Sequence, residues 1–264
     1  MKLTIIGAGN IGSAIACGLC SSKQGNELKI WCTDILLDKL VKIKEANVSI
    51  QVSTDNKAAV KDADIVLVAV KPWHIEATIQ EIKEALDYKR QIFISVAAGV
   101  EFEKLCRYLK KEEEVELPAI FRIIPNTAIA VKESVNFVSY FNAKKTQIEL
   151  IRSLFDELGL TIMIEEQLIA AGTALASSGI AYAFRYIRAA VEGAVEIGLN
   201  PDLAKKIELQ TLKGAIALLE INNSHPEIEI DKVTTPGGIT IKGLNAMEEA
   251  GFTNAVVKGL KASV

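Results

Sequence analysis

The sequence predicts an α/β protein in which a doubly wound parallel sheet is followed by an all-helical second unit. The first 164 residues alternate short apolar runs rich in Val and Ile with helix-like windows, which is typical of strands buried on both faces of a parallel sheet. Strand signals stop after Glu166, and small residues recur in the helical windows that follow. Because 264 residues exceed one ordinary domain, we expect two, at 1–164 and 165–264.

The elements of the first domain follow one another in strand–helix order. Strands are predicted at 2–7, 28–33, 64–70, 92–97, 119–124, 134–140 and 160–165. Helices are predicted at 10–21, 36–46, 74–87, 101–110 and 144–158. This alternation implies right-handed crossovers and a sheet of seven or eight strands.

The second domain is predicted from helical windows at about 167–197 and 201–221. The stretch "GLNPD" at 198–202 contains a Gly stop, an Asn cap and a Pro at the first helical position, so it marks a sharp junction between two helices. Helical domains with small-residue faces often bury these faces against a second copy. We therefore expect a homodimer or a larger homo-oligomer.

Composition limits the partners. A formal net charge of -3 provides no positive field for nucleic acid or for an anionic membrane, and a small-molecule substrate is favoured. Glycines interrupt the apolar N-terminal stretch, and we find no window of about 18 uninterrupted apolar residues, so we expect no membrane span and a cytoplasmic protein. The mixed-sign charge run at 109–116 is interpreted as a solvated helix end or loop.

Cysteine and histidine usage argues against a metal or a disulfide framework. The four cysteines, at 17, 20, 32 and 106, lack disulfide spacing, and we expect them to be reduced. The two histidines, His74 and His225, stand outside any ligand cluster and are interpreted as capping or exposed residues. No metal is expected.

The stretch "IIGAGNIG" predicts a dinucleotide site. Gly7, Gly9 and Gly12 form GxGxxG directly after an apolar strand and at the start of a helix, which is the context of the Rossmann fingerprint. The first glycine permits the tight turn, the second lets the backbone approach a pyrophosphate, and the third lets helix and strand pack closely. The helix-start residues Asn10 and Ile11 present N–H groups to the phosphates.

Asp34 follows the second predicted strand, 22 residues after Gly12, where an acid binds the two hydroxyls of an adenosine ribose. A carboxylate favours a free 2′-hydroxyl and therefore NADH, whereas Thr33 and Lys39 are candidate donors to the 2′-phosphate of NADPH. The alternative interpretation of Asp34 is a helix cap. The residues favour NADH and leave NADPH open.

Two further strand ends are expected to border the nicotinamide. Val70, Lys71 and Pro72 follow one parallel strand and Ala97 the next, and ligands of open parallel sheets lie outside the carboxyl ends of the strands. Lys71 is equally compatible with an exposed strand-end lysine. Ala97 has no reactive group, so its role would be to let the cofactor approach the backbone.

Seven motifs in order, "GAGNIGSAI", "VAVKP", "SVAAGV", "FRIIPNTA", "SSGIAYAF", "HPEI" and "VTTPGGITIKGL", give a resemblance to pyrroline-5-carboxylate reductase over nearly the whole chain. The last motif is the most specific. The resemblance implies a Rossmann domain followed by a helical dimerisation domain. It also implies NAD(P)H-dependent reduction of 1-pyrroline-5-carboxylate to L-proline, the last step of proline biosynthesis.

The resemblance also implies roles for individual residues. Thr235, Gly237, Gly238 and Thr240 would bind the substrate carboxylate, and Thr240 would lie beside the ring nitrogen of the imine as the catalytic residue. Asn126 would lie by the nicotinamide. A helix N-terminus suits an anion on independent physical grounds.

The chain departs from the family pattern at three positions. Ile180 and Ala128 stand where prolines are usual, which puts the fit of the substrate in doubt. Ile35 replaces the usual basic residue after the second strand, which strengthens the NADH interpretation.

Two other functions compete with this one. Another imine or hydroxyacid reductase of the two-domain Rossmann type would show a catalytic lysine in the helical domain, but Lys205, Lys206 and Lys213 have no GxxxK context. A non-catalytic dinucleotide-binding sensor would not need the PGGxT turn.

Overall fold

The computed structural model describes residues 1–23, 25–112 and 116–264, in two compact units, Met1–Ser177 and Ser178–Val264. The predicted solvated segment at 109–116 includes residues 113–115, which lie outside the described residues. The domain boundary at 164/165 stays a prediction. The last strand of the first unit ends at Met163, and the units divide after Ser177.

The first unit is built on one sheet of eight strands. They are β1 (Lys2–Ile6), β2 (Lys29–Thr33), β3 (Gln51–Ser53), β4 (Ile65–Val68), β5 (Ile92–Ser95), β6 (Ala119–Ile124), β7 (Ser134–Phe141) and β8 (Gly159–Met163). Their spatial order is β3-β2-β1-β4-β5-β6-β7-β8, and the described pairs are parallel except for β6 with β7. The doubly wound sheet is confirmed, with one antiparallel pair that the alternation of elements does not predict.

Seven α-helices belong to the described residues of this unit. They are α1 (Asn10–Cys20), α2 (Leu37–Ala46), α3 (Asn56–Val60), α4 (Ile75–Ile82), α5 (Phe102–Leu109), α6 (Lys145–Asp156) and α7 (Ile169–Gly172). The helix predicted at 74–87 is shorter, because α4 ends at Ile82 and a 3-10 turn, Lys83–Ala85, follows.

Two apolar cores cover the faces of the sheet. Ile15 of α1, Leu40 of α2 and Leu154 of α6 belong to one core, and Ile79 of α4 and Leu105 of α5 belong to the other. With helices on both faces, the carboxyl ends of the parallel strands stay open at one edge of the sheet. The register aligns these ends, since Ile6 pairs with both Thr33 and Val68, and Val68 pairs with Ser95.

The second unit is helical, as predicted. It contains α8 (Gly179–Glu196), α9 (Pro201–Asn222), α10 (Pro226–Val233), α11 (Ile239–Glu249) and α12 (Phe252–Lys261). Asn200 caps α9 and His225 caps α10 through their side chains, which confirms the predicted junction and the capping interpretation of His225. Ala204 is the only buried residue of this unit.

One helical stretch of the described residues, Glu166–Glu196, has the length and hydropathy of a membrane span. The stretch contains polar residues such as Thr173, Ser177 and Ser178, so it is not an uninterrupted apolar window, and the expectation of no membrane span stays a prediction. A π-helical segment, Thr173–Ser178, lies within this stretch. A single stretch of this kind is weak evidence for a membrane, because packed helices meet the same criterion.

Candidate active site

The three glycines of the first loop have different surroundings. Gly7 has a φ of +105°, and a Cβ added there would lie 2.8 Å from the Ala69 carbonyl; at Gly12 the added atom would lie 1.9 Å from the Gly7 oxygen. At Gly9 an added Cβ meets no atom within 4 Å. The first and third glycines therefore permit the tight turn and the close packing, whereas the second faces open space that a ligand can enter.

The loop leads into the N-terminus of α1 without a side-chain cap. Gly9 is the N-cap residue, and the first turn contains no acidic residue. The Ser13 hydroxyl donates to the Ala8 carbonyl at 3.0 Å and so braces the loop from inside. Uncapped N–H groups at the positive end of the helix dipole suit an anion, so the residues present fit a dinucleotide pyrophosphate beside Asn10 and Ile11.

Asp34 lies directly after β2, and its carboxylate turns toward the glycine loop. Oδ2 accepts from the Ala8 N–H at 2.9 Å and lies 3.3 Å from Nζ of Lys39, while Oδ1 accepts from the Leu36 N–H at 2.9 Å. The side chain of Asp34 is 8% exposed. Asp34 thus accepts hydrogen bonds from the glycine loop and from the residue before α2, which resembles the predicted capping role. Its contact with an adenosine ribose stays a prediction.

Thr33 is not available as a donor to a 2′-phosphate. Its side chain is fully buried and donates to Oδ1 of Asn56 at 2.6 Å. Asn56 in turn donates to Glu81 at 3.0 Å. The prediction that Thr33 is a candidate donor is therefore wrong, because a partner from α3 already holds the hydroxyl.

Lysines of α2 line a cleft beside the loop. The cleft has a volume of about 770 Å³, and the described residues that line it include Gly9, Asn10, Ser13, Lys39, Lys42 and Lys132. No carboxylate belongs to this described lining. The sequence analysis did not predict Lys42 or Lys132 as cleft residues. The spacing of Lys39 and Lys42, three residues apart on one helix, could have indicated that both face the cleft. Lys132 is distant in sequence, so its position in the cleft follows from the tertiary fold.

The strand ends that were predicted to border the nicotinamide lie along the open edge. Val70 is half-buried, Lys71 and Pro72 are exposed, and Pro72 begins a 3-10 turn that ends at His74. Ala97 is buried and follows β5 by two residues. The fold brings these positions to the same edge as Gly7, as predicted, while their cofactor contacts stay predictions.

Asn126 follows β6 and is held on three sides. Its Oδ1 accepts from the Ala128 N–H at 3.0 Å, its N–H donates to Ser134 Oγ at 3.1 Å, and its Nδ2 donates to the Ala176 carbonyl at 3.3 Å. The Ser177 hydroxyl donates to the Pro125 carbonyl at 3.2 Å. Two segments that are distant in sequence are thus bonded together within the first unit.

A buried arginine lies on the same strand as this element. Arg122 of β6 is 3% exposed and donates through Nη1 to Glu166 Oε1, which also accepts from the Phe102 N–H. Its Nε is buried without a hydrogen-bond partner among the described residues. The carboxylate of Glu166 therefore joins the start of α5 to the middle of β6.

The predicted substrate turn belongs to the second unit. The Gly238 N–H donates to the Thr235 carbonyl at 2.9 Å, and Gly237 has a φ of +73° after Pro236, as in a type II turn. Gly238 is the N-cap residue of α11, which has no side-chain cap and no acid in its first turn. Thr235 and Thr240 are exposed, so the turn presents hydroxyls and uncapped N–H groups.

The four cysteines form no disulfide with one another. Burial raises the pKa of Cys32 to about 12 and also raises the pKa of Cys17. Among the described residues, no group of three or more His, Cys, Asp or Glu side chains has the arrangement of a metal site.

Comparison with known protein families gives two matches. Residues 166–264 match the model of pyrroline-5-carboxylate reductase dimerisation, and residues 2–99 match the model of NADP oxidoreductase coenzyme F420-dependent. These ranges agree with a nucleotide-binding first unit and with self-association through the helical part.

Individual proteins are similar over nearly the whole chain. Pyrroline-5-carboxylate reductase 1 of Dictyostelium discoideum is 39% identical over 99% of this chain, which spans only 48% of that relative. The reductase of Aquifex aeolicus is 35% identical over 98% of this chain and 93% of the relative.

Solved structures agree with these relatives. The Coxiella burnetii pyrroline-5-carboxylate reductase has a TM-score of 0.87 and 30% identity, covering 99% of this chain and 95% of the other. The Plasmodium falciparum pyrroline carboxylate reductase, with NADP bound, has a TM-score of 0.87 and 25% identity over 100% and 95% of the two chains.

Proposed function

This chain belongs to the pyrroline-5-carboxylate reductase family, and from that premise we propose that it reduces 1-pyrroline-5-carboxylate to L-proline with NAD(P)H, as an oxidoreductase acting on a C=N bond. One observation carries the proposal. The chain has two uncapped helix N-termini behind glycine turns, one at Gly9 in the nucleotide unit and one at Gly238 in the helical unit. The first suits a pyrophosphate and the second a carboxylate.

The cofactor-holding residues are those of the open edge. Gly7, Gly9, Asn10, Ile11 and Gly12 form the loop that would hold the pyrophosphate, and Asp34 would bind the adenosine ribose. The residues proposed beside the nicotinamide are Val70, Lys71, Pro72, Ala97 and Asn126. When bound, reduced nicotinamide supplies a hydride to the imine carbon. Because the cofactor provides both electrons as hydride, the role of the protein residues is to position the substrate and to exclude water.

The substrate-holding residues are those of the turn. The Gly237 N–H, the uncapped N–H groups of α11 that follow Gly238 and the Thr235 hydroxyl would bind the carboxylate of the substrate. The N–H of Gly238 itself closes the turn onto the Thr235 carbonyl. The Thr240 hydroxyl donates a hydrogen bond to the ring nitrogen and relays the proton that converts the imine to the amine, with solvent as the source. Hydride on carbon and proton on nitrogen together balance the reduction of C=N to CH–NH.

We propose NADH as the preferred cofactor. Asp34 is the only acid at the end of β2, and the next residue, Ile35, is uncharged and 85% exposed. A carboxylate favours the free 2′-hydroxyl of NADH over a 2′-phosphate. The match to an NADP oxidoreductase model and the similarity to an NADP-bound structure support nicotinamide dinucleotide binding in general.

We propose a homodimer as the minimal assembly. The helical unit buries only Ala204, while Phe184, Ile197 and Ile221 are more than half exposed. Burial of such side chains against a second copy removes apolar surface from water.

The cysteines form no disulfide with one another, which supports a reducing compartment, and the cytoplasmic location stays a prediction.

Substitution of Thr240 tests the mechanism. We expect Thr240→Ala to lower kcat by roughly a hundredfold or more, because a positioned proton donor contributes about 10²- to 10⁴-fold. The control is Thr253→Ala, whose hydroxyl bonds to Glu248 at 2.7 Å on an exposed surface. Full turnover and unchanged substrate affinity in Thr240→Ala would show that this role is wrong.

The competing functions give a different result in the same assay. Steady oxidation of NAD(P)H driven by 1-pyrroline-5-carboxylate is expected from the reductase. A sensor would bind the cofactor without this oxidation, and another imine or hydroxyacid reductase would require a different substrate.

A further inference from the structure

Asp34 forms an ion pair with Lys39 and so differs from an unpaired carboxylate at the ribose position. In the unpaired case the carboxylate faces the ribose with both oxygens free, and its charge repels a 2′-phosphate. Here the two oxygens already have three donors, which are the N–H groups of Ala8 and Leu36 and the Lys39 ammonium. An ionised carboxylate has about four acceptor sites, so one site remains for a ribose hydroxyl.

Lys39 lies on the side from which a ligand approaches. Its side chain is 41% exposed, against 8% for Asp34. It lines the cleft that also contains Gly9 and Asn10, whereas Asp34 is absent from the described lining. A phosphate in this cleft therefore meets the ammonium before it meets the carboxylate.

We propose that Lys39 is the specificity-determining residue for the adenosine ribose: it neutralises Asp34 and provides a cation for a 2′-phosphate, so that NADPH is used beside the preferred NADH. This inference rests on the proposed function, since it concerns the cofactor of the same reduction. Without Lys39 the ribose position has one net negative charge, and a phosphate of roughly two negative charges is excluded. With Lys39 the position is close to neutral.

Lys42 provides a matched control. It lies on the same helix, one turn after Lys39, and lines the same cleft, but it makes no bond to Asp34. A general positive potential would depend on both lysines equally. A specific pairing depends on Lys39.

The experiment compares the wild-type chain with Lys39→Met and Lys42→Met, each of which keeps an unbranched side chain without the charge. Isothermal titration calorimetry gives the Kd of NADP⁺ and of NAD⁺, and kcat/KM is measured with both reduced cofactors. We expect Lys39→Met to weaken NADP⁺ binding about tenfold or more, which is the value of one charge-assisted hydrogen bond, and to change NAD⁺ binding less than about threefold. Lys42→Met should change NADP⁺ binding less than about threefold.

Each other outcome has a definite meaning. Unchanged NADP⁺ binding in Lys39→Met, equal losses in both variants, or a wild-type chain that oxidises NADH but not NADPH with the imine would overturn the inference. A loss of NAD⁺ binding in Lys39→Met would also overturn it, because the residue would then support the loop and not the choice of cofactor. If NADP⁺ binding depends on Lys39 but 1-pyrroline-5-carboxylate drives no oxidation, the inference stands and the proposed function falls.

Discussion

The two units of the chain differ most in how far each buries its own side chains. In Met1–Ser177 the sheet has apolar cores on both faces, and every residue of β4, β5 and β6 is buried. In Ser178–Val264 five helices bury a single residue, and large apolar side chains such as Ile197 and Ile239 are more than 80% exposed. The first unit therefore completes its own core, whereas the second requires a further apolar surface.

This difference assigns different kinds of site to the two units. The glycine loop lies on a sheet whose strand ends are fixed by register, so its geometry is built by one chain. The turn from Thr235 to Gly238 joins α10 to α11, and Thr240 lies in the first turn of α11; neither helix has a buried residue. We therefore expect cofactor binding to depend on packing within the chain, and substrate binding to depend on assembly.

The largest effect is expected from Gly12→Ala in the first unit. The added Cβ would lie 1.9 Å from the Gly7 oxygen, so the loop or α1 must move. We expect loss of about 3 kcal/mol in the free energy of unfolding and at least a hundredfold weaker NAD⁺ binding, measured by urea titration and calorimetry. Gly214→Ala is the control, because its Cβ would meet no atom within 4 Å and alanine favours helix. Normal NAD⁺ binding in Gly12→Ala would contradict the role of the third glycine.

An intermediate effect is expected from Phe184→Glu in the second unit. Phe184 is 61% exposed, and a charge at a buried aromatic contact between copies costs about 2 kcal/mol, or roughly thirtyfold in the dissociation constant. Analytical ultracentrifugation should show a smaller assembly at micromolar concentration. Val48→Glu is the control, since Val48 is 78% exposed in the first unit and its substitution should leave the mass unchanged. An unchanged mass for Phe184→Glu would remove that residue from the interface.

The smallest effect concerns the thiol of Cys32 in the first unit. Because all four cysteines lie in this unit, thiol alkylation measures the opening of the first unit alone. The pKa of Cys32 is raised from 9.0 to about 12 by burial, so the thiol stays protonated at pH 8.5 and alkylation by iodoacetamide requires opening of the core. In the unfolded chain the thiol ionises near 9. The stability that Cys32 contributes is therefore complete below pH 9 and declines between about pH 9 and 12. Rapid alkylation of Cys32 in the native protein, followed by mass spectrometry, would contradict the buried position.

The sequence predicts the long, strongly patterned elements well. Seven of the strands and the GxGxxG turn follow from apolar runs and from glycines at fixed offsets. In the first unit the missed elements, β3 and α3, are short; β3 has three residues and an exposed Gln51, so it lacks a periodic signal. In the second unit α10 and α12, of eight and ten residues, lie beyond the two predicted helical windows and were missed as well. The helix at 74–87 was predicted too long because its apolar pattern continues through a 3-10 turn.

The candidate site is only partly readable from the sequence, for a physical reason. The positions of Gly7, Gly9 and Gly12 follow from local backbone requirements. The orientation of Asp34 depends on a donor 26 residues away in the chain, the Ala8 N–H, and the loss of Thr33 as a donor depends on Asn56. Such tertiary hydrogen bonds leave no mark in local spacing, and neither does the approach of Lys132 to α1.

The single buried residue of the helical unit has a consequence for anyone who handles the protein. A core that is completed by association makes folding a second-order process, so mass action links the folded fraction to the concentration of chains. Dilution into an assay then lowers specific activity over time, and the melting temperature rises with protein concentration. A damaged copy that still associates would also lower the activity of the intact copies with which it is expressed.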